Sequence, residues 1–155
     1  MRAVIQRVKE AQVSVEGKMI GRICQGLLVL LAVSKKDSFK DADYFIEKLL
    51  HLRIFEDNEG KMNVSSLEAH AQFLIVSQFT LYGDCSNGRR PSFDEAAEPK
   101  RAEEIYNYFV ENLRKHNSTP PLGPLRGGVE TGLFRAMMEV SLVNDGPVTF
   151  ILESK

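Results

Sequence analysis

Alternating apolar and polar residues dominate the first third of the chain. Ala11 to Val15 alternates in this way, which predicts a strand with one solvent-facing side. The Glu16 to Lys18 stretch then predicts a tight turn, and Met19 to Ile23 the returning strand. Gly26 to Val33 is apolar throughout, which indicates a central strand covered on both faces.

Two stretches repeat their apolar residues at helical spacing instead. The first begins after Ser38, which forms a capping box with Asp41. The second begins near Pro99, which suits a first helical position because its missing N–H is not needed there. The predicted buried faces are Ala42, Phe45, Ile46, Leu49 and Leu50 in the first helix, and Ala102, Ile105, Tyr106, Phe109, Val110 and Leu113 in the second.

Shorter elements fill the rest of the chain. Arg53 to Phe55 predicts a short strand, and Met62 to His70 a strand remnant followed by a loop. Asn117 to Gly128 is rich in Pro, Gly, Ser and Thr, so we expect a long surface loop there. Too few residues follow this loop to form a second domain, and we therefore expect one domain spanning 1–155.

The C-terminal stretch predicts two strands, Met138 to Leu142 and Val148 to Leu152. Asp145-Gly146 between them is a strong hairpin signal. Pro147 weakens that hairpin because it cannot donate to the ladder, so it is either cis or presents its neighbours' carbonyls outward.

Composition and charge exclude several functional classes. The chain has 155 residues, 43% hydrophobic and 26% charged, which is typical of a globular protein. Its 20 basic and 21 acidic side chains give no overall field that attracts nucleic acid, so any RNA contact depends on local patches. The N-terminus lacks a signal-peptide core, no apolar run spans a bilayer, and two cysteines without metal spacing suit a reducing compartment. We expect a soluble cytoplasmic protein with no membrane partner.

A candidate site follows the buried strand Phe73 to Val76. The next residues, Ser77, Gln78, Phe79 and Thr80, place three polar side chains around one aromatic ring. A Gly-rich loop and the adjacent cations Arg89 and Arg90 come next, and together they predict a reactive cleft beside an anion-binding loop. An ordinary strand end followed by a turn is the alternative, and these residues alone slightly favour it.

Nucleophilic catalysis by a side chain finds little support in this sequence. Ser77 and Thr80 each need a nearby base, yet the three histidines are scattered and form neither a triad pattern nor a metal-binding spacing. Cys85 is a possible nucleophile, but its nearest cation in sequence is the more distant Arg89. Backbone N–H groups at the strand end remain as donors for a developing oxyanion, worth ~3 kcal/mol each, which suits an activated ester.

Three motifs together resemble the D-aminoacyl-tRNA deacylases. They are Ser77-Gln78-Phe79-Thr80-Leu81, Gly88-Arg89-Arg90-Pro91-Ser92-Phe93 and Asn144-Asp145-Gly146-Pro147-Val148-Thr149. The opening Arg2 to Val8 and the later Glu130 to Phe134 match the same family. The likeness covers nearly the whole chain in order and at the family's spacing, and is far stronger than any single motif.

The resemblance implies an α+β fold, with a mostly antiparallel, barrel-like sheet flanked by two main helices. It also implies a homodimeric tRNA-editing hydrolase, without a cofactor or metal, that deacylates D-aminoacyl-tRNA and spares L-aminoacyl-tRNA. The Gly146–Pro147 bond would be cis, would reach the partner's pocket and would select chirality by its carbonyls. Arg7 would orient that motif, although a solvent-facing edge cation is the commoner role for such a residue.

The resemblance assigns the pocket lining to Ser77, Gln78, Phe79 and Thr80. Since no base accompanies Thr80, we expect attack by water, assisted by the ribose hydroxyl of the terminal adenosine, with main-chain donors around Phe79 as the oxyanion site. Arg89 and Arg90 would contact tRNA phosphates. Glycyl-tRNA would be a substrate too, because glycine has no side chain to exclude.

Two alternatives remain open. One is a non-catalytic nucleic-acid-binding module on the same fold, and the other is a small esterase that uses Cys85. Two departures from the family also stand out: the loop from Asn117 is longer and richer in Pro, and Arg135 occupies a position where the family usually has Gly.

Overall fold

The structure, a computed structural model, describes residues 1–117 and 128–154. Within these residues the elements are, in chain order, β1 (Arg2–Val15), β2 (Lys18–Ile23), β3 (Gly26–Ala32), α1 (Phe39–His51), β4 (Arg53–Glu56), β5 (Met62–Ser65), β6 (Gln72–Ser77), a 3-10 turn (Phe79–Tyr82), α2 (Pro99–His116), β7 (Val129–Thr131) and β8 (Glu139–Glu153). The predicted loop from Asn117 to Gly128 lies almost entirely outside the described residues.

The long strand β1 organises the sheet because it pairs along both edges. Its residues pair antiparallel with β2 and β3 on one edge and with β8 on the other. Next to β3 lie β6 and then β7, each parallel to its neighbour. The sheet is therefore antiparallel around β1 and parallel from β3 to β7, while β4 and β5 form a separate two-stranded sheet.

The main sheet curls until its two ends meet. A side chain at Gly21 of β2 would place its Cβ only 2.9 Å from the backbone oxygen of Thr131 of β7. Because glycine has no Cβ, these strands can approach this closely and give the sheet its barrel-like form. This confirms the expected α+β fold, with α1 and α2 on one face of the sheet.

Both faces of β3 are covered, as its apolar sequence predicts. Leu27, Val29 and Leu31 pack beneath the helices, whereas Leu28 packs inside the curled sheet with residues of β1, β2 and β6. Strand alternation therefore sends successive residues into two separate apolar cores. The helix-side core holds Phe45, Leu49, Phe73, Ile75, Ile105 and Phe109, and the other holds Val8, Ala11, Val13, Ile23, Leu74 and Val76.

The helices agree closely with prediction. In α1 the backbone N–H of Ser38 donates to Asp41 Oδ2 at 2.8 Å, which completes the capping box. The five predicted buried residues of α1 are all buried. Helix α2 begins at Pro99, and its predicted face is buried except for Ala102, which is partly buried against the same core.

The C-terminal hairpin prediction is wrong. Residues 139–153 form one strand, β8, which runs along β1 in a single direction. Gln6 pairs with Thr149 and Val8 with Asn144, so residues 145–148 loop out opposite Arg7 as a bulge. Local turn residues suggested a reversal, but β1 is long enough to pair with both halves, and this long-range pairing decides the outcome.

No helix among the described residues is long and apolar enough to cross a membrane. Cys24 and Cys85 are both free and exposed.

The contact between β3 and β6 makes a prediction about stability. A Cβ at Gly26 would lie 1.9 Å from the backbone oxygen of Gln72, an overlap that only separation of the strands can relieve. We expect Gly26→Ala to lower the free energy of unfolding by about 3 kcal/mol or more. Urea unfolding at one fixed protein concentration measures this change.

Gly17→Ala is the matched control, because Gly17 has open space around its Cα but a positive φ of 74°. It should cost about 1 kcal/mol through backbone conformation alone. Equal losses in the two variants would contradict the steric explanation.

Candidate active site

The 77–80 segment lies where β6 leaves the sheet. Ser77 still pairs with Leu31 of β3, and the Gln78 N–H donates to the Leu31 carbonyl at 2.8 Å. The chain then turns into the 3-10 turn, and the side chain of Phe79 is 57% exposed. The segment is thus anchored to the core at one end and open to solvent at the other.

Two adjacent backbone N–H groups of this segment lack an acceptor among the described residues. The first N–H groups of any helix lack intrahelical acceptors. Among the described residues neither the Phe79 nor the Thr80 N–H has a hydrogen-bond partner, whereas Leu81 N–H already donates to Gln78 O at 3.2 Å. Both residues are exposed, so these two N–H groups are available to external acceptors.

The hydroxyls of Ser77 and Thr80 have no base beside them. Within residues 1–117 and 128–154, neither hydroxyl hydrogen-bonds to a histidine or a carboxylate. His51 contacts Glu47, and His116 contacts the Asn112 carbonyl at 2.7 Å, both on helices. The described residues also contain no cluster of three or more metal-ligating side chains. The geometry therefore favours backbone donors over a side-chain nucleophile.

The loop carrying Arg89 and Arg90 is tied to this segment. Asp84 and Ser92 exchange backbone hydrogen bonds of 2.8 and 2.9 Å, which close the base of the loop. Phe93, the next residue, packs on Phe79 with ring centroids 5.0 Å apart. Both arginines are exposed at the tip. The structure thus brings the predicted basic loop beside the predicted site.

Arg2 fixes the far side of the 3-10 turn, a role that the sequence did not reveal. Its Nη1 donates to the Leu81 carbonyl at 2.7 Å, and its guanidinium lies 4.9 Å from the centre of the Tyr82 ring. Burial and the Asp37 carboxylate raise the pKa of Tyr82, so its hydroxyl stays protonated at neutral pH. An open cleft of about 370 Å³ lies beside Arg2 and Tyr82.

Helix α2 supports the strand from behind. The Tyr106 hydroxyl donates to the Ile75 carbonyl at 2.9 Å, and burial raises the pKa of this phenol. The Gly132 N–H donates to the same carbonyl at 2.9 Å. The chain after β7 consequently runs beside the end of β6, next to the 77–80 segment.

That neighbouring chain contains the departure at Arg135. The Ala136 N–H donates to Leu133 O at 3.2 Å and closes a turn in which Arg135 has a φ of 62°. Left-handed backbone favours glycine and costs other residues about 1 kcal/mol. Arg135 therefore has a backbone conformation that glycine adopts more easily.

The second half of the predicted site is the 145–148 bulge of β8. Gly146 has a φ of 134°, the Gly146–Pro147 peptide bond is cis as expected, and both residues are exposed. The Asn144 side chain spans the neck of the bulge, where its Oδ1 accepts from the Val148 N–H at 2.7 Å. The backbone of the bulge is therefore held open towards solvent.

Arg7 is buried, so the solvent-facing interpretation is wrong. Its Nε donates to the Asp145 carbonyl at 3.2 Å and lies 3.1 Å from the Asp145 carboxylate. Its Nη1 donates to Ile54 O at 2.8 Å, and its Nη2 to Glu56 Oε1 at 3.1 Å. The guanidinium thus connects β4 to the bulge.

Within one chain, the two halves of the site lie far apart. Arg7, opposite the bulge, pairs with Leu27, whereas Ser77 pairs with Leu31 further along β3. This register difference of four residues separates the two halves by about 13 Å along the strands. No single small group contacts both halves in one protomer.

Comparison with known proteins identifies close relatives. The family model described as D-Tyr-tRNA(Tyr) deacylase matches residues 4–153. The D-aminoacyl-tRNA deacylase of Solibacter usitatus is 59% identical, over 100% of this chain and 97% of its own. That of Bacillus cereus is 53% identical over 100% of both chains. A solved structure named c-Myc DNA Unwinding Element Binding Protein has a TM-score of 0.90 at 40% identity, covering 100% of this chain and 99% of its own.

Proposed function

The chain belongs to the D-aminoacyl-tRNA deacylase family, and on that premise we propose that it hydrolyses D-aminoacyl-tRNA in a site shared by two protomers. It is a tRNA-editing hydrolase whose products are the free D-amino acid and tRNA. The non-catalytic alternative is not supported, because relatives that match the full chain at 53% and 59% identity are named as deacylases. The observation that carries the mechanism is the pair of unpartnered N–H groups at Phe79 and Thr80.

We assign these two N–H groups to the ester carbonyl of the substrate. Charge develops on that oxygen as water attacks, and one oriented donor stabilises the transition state by ~3 kcal/mol. An aminoacyl ester is already activated, so this contribution needs no covalent intermediate. Because no histidine or carboxylate of residues 1–117 and 128–154 hydrogen-bonds to Ser77 or Thr80, we assign assistance of the attacking water to the ribose hydroxyl of the terminal adenosine.

The distance between the two halves supports a site completed by a second copy. The α-amino nitrogen and the carbonyl oxygen of an aminoacyl ester are only about 3 Å apart. If the 145–148 bulge holds the amino group while Phe79 and Thr80 hold the carbonyl, these elements must come from different protomers. Gly146 and Pro147 are exposed and free to enter a partner's pocket.

An uncovered apolar face supports the same dimer. Val4 and Ile151 are paired across β1 and β8, on the face of the sheet opposite the helices. Val4 is partly buried, and Ile151 is 71% exposed. A second copy placed on this face would bury these side chains and bring its bulge towards the 77–80 segment.

Chirality is selected in this proposal by exclusion. Carbonyls of Gly146 and Pro147 hold the amino group, and the backbone occupies the space that an L side chain needs. A wall of backbone rejects more strongly than an apolar pocket, which discriminates by only ~1–3 kcal/mol per methylene. Arg89 and Arg90 contact tRNA phosphates, which position the acceptor end without reading its sequence.

We also place the reaction in the cytoplasm. The two exposed free thiols, Cys24 and Cys85, suit a reducing compartment.

The first prediction concerns Thr80. We expect Thr80→Val to keep at least about a third of the single-turnover rate on D-tyrosyl-tRNA, since the Thr80 N–H stays and only the hydroxyl is lost. A rapid-quench assay with saturating enzyme measures this rate. Loss of all activity, with tRNA binding and the melting temperature unchanged, would show that the hydroxyl takes part in the chemistry.

The second prediction concerns glycine. Because exclusion acts on a side chain that glycine lacks, glycyl-tRNA should be hydrolysed, whereas L-alanyl-tRNA, which is larger by one methyl, should persist. Deacylation of both esters is compared at matched enzyme concentration, with spontaneous hydrolysis subtracted. If glycyl-tRNA lasts as long as L-alanyl-tRNA, the mechanism of exclusion is wrong.

The third prediction tests the shared site. Gly146→Val should damage the bulge, because a Cβ there already approaches Val148 Cγ2 to 2.6 Å, and Phe79→Pro should remove one oxyanion donor. Each variant alone is expected to be nearly inactive. Unfolding and refolding the two together should restore activity, since a mixed dimer contains one doubly damaged site and one intact site.

A site confined to one protomer predicts the opposite result, because each chain of the mixed dimer would keep its own defect. Refolded wild-type protein and each variant refolded alone are the controls. Mixtures that stay as inactive as the single variants, with mixed dimers shown to be present by differential tagging, would exclude the shared site.

A further inference from the structure

The small sheet formed by β4 and β5 has been given no role in the reaction so far. It is separate from the main sheet, yet the end of β4 contacts the buried guanidinium of Arg7 twice. One contact is the Ile54 carbonyl on Nη1, and the other is the Glu56 carboxylate on Nη2. This sheet therefore supplies half of the groups that surround Arg7.

We propose that Glu56 is a positioning residue for chiral selection, acting through Arg7 on the 145–148 bulge. The inference deepens the proposed function and rests on it, because it names a residue that sets the geometry of the selecting backbone. Glu56 itself does not touch the substrate.

The position of Nη2 is the first argument. This nitrogen binds Glu56 Oε1 at 3.1 Å, and it also lies 3.5 Å from where a Cβ on Gly146 would stand. The same atom is therefore hydrogen-bonded to Glu56 and lies close to Gly146. If Nη2 shifts, we expect the backbone at Gly146, which excludes L side chains in our proposal, to shift as well.

The planarity of the guanidinium is the second argument. Nε is fixed by Asp145 of β8, and Nη1 and Nη2 are fixed by Ile54 and Glu56 of β4, so three hydrogen bonds from two strands define the plane of the group. The Arg7 side chain is 4% exposed, and within the described residues Glu56 is the acceptor that Nη2 has. Loss of Glu56 leaves a buried donor unpaired, and Arg7 regains a partner only by tilting or by admitting water.

Exposure makes the proposal testable without unfolding the protein. The Glu56 side chain is 56% exposed, so shortening it opens no cavity in either core. Glu59, in the turn between β4 and β5, offers a matched control because it pairs with the exposed Lys61 at 2.7 Å and is remote from Arg7.

The experiment compares Glu56→Ala, Glu56→Gln and Glu59→Ala with the wild-type protein. The measured quantity is the ratio of kcat/KM for D-tyrosyl-tRNA to that for L-tyrosyl-tRNA, with the melting temperature recorded for each protein. We expect Glu56→Ala to lower this ratio about fivefold, as befits loss of one charge-assisted hydrogen bond. For the D substrate, kcat/KM should fall mainly because KM rises. The amino group that the bulge holds is displaced, while the oxyanion donors stay in place.

Glu56→Gln keeps an acceptor oxygen at the same place and should recover more than half of the ratio. Glu59→Ala should keep the wild-type ratio. A Glu56→Ala ratio equal to that of wild type would overturn the proposal, and so would equal losses on both substrates or a Glu59→Ala effect of the same size.

Failure of the proposed function gives a different result. If the wild-type protein hydrolyses both tyrosyl esters equally, or neither, then the assignment of chiral selection itself is wrong. If the wild type and Glu56→Ala discriminate equally well between D- and L-tyrosyl-tRNA, only the role proposed for Glu56 is wrong.

Discussion

The pairing of β1 along both of its edges is the constraint on which the rest of the structure depends. One edge carries β2 and β3, and through β3 the buried strand β6 that leads into the 77–80 segment. The other edge carries β8 and its bulge. Because strand register fixes every residue along the sheet, the two functional segments lie at opposite ends by construction. Their separation is a property of the fold, which flexible loops cannot easily reverse.

Burial of the Arg7 guanidinium has a cost in free energy. Taking a guanidinium out of water costs several kcal/mol, and only well-placed partners offset that cost. The bulge provides a carbonyl and a carboxylate from Asp145, and β4 provides the Ile54 carbonyl and the Glu56 carboxylate. The rigid guanidinium of Arg7 thus donates hydrogen bonds to the backbone carbonyls of both Asp145 and Ile54. A buried charge with four acceptors specifies one geometry more strongly than an apolar contact of the same size.

Sequence patterns predicted those features that depend on neighbours along the chain. Helical spacing identified the buried face of α1 completely, and the capping box placed its first residue. The hairpin prediction failed because Asp145-Gly146 is a local turn signal, whereas a strand fourteen residues long paired with both flanking segments. The burial of Arg7 could be predicted only in part. Its position continues the alternation of Ala3 and Ile5, which are buried, but arginine side chains are usually exposed to solvent. Nothing in the sequence marked Glu56, since its partner lies in a different sheet.

The candidate site is built mainly from main-chain groups, and this explains why its chemistry leaves a weak trace in side-chain patterns. Every non-proline residue has a backbone N–H group, so the sequence does not mark the donors of Phe79 and Thr80. These two lack acceptors among the described residues because they lie at the start of a 3-10 turn. The carbonyls of the bulge are equally generic, and a glycine with a φ of 134° is needed only to aim them. Side chains then serve to hold backbone: Arg7 the bulge, Arg2 the 3-10 turn, Asn144 the bulge's neck. Hydrolysis of D-aminoacyl esters suits such a site, because main-chain atoms held at fixed positions can distinguish the arrangement of groups around the α-carbon of the substrate.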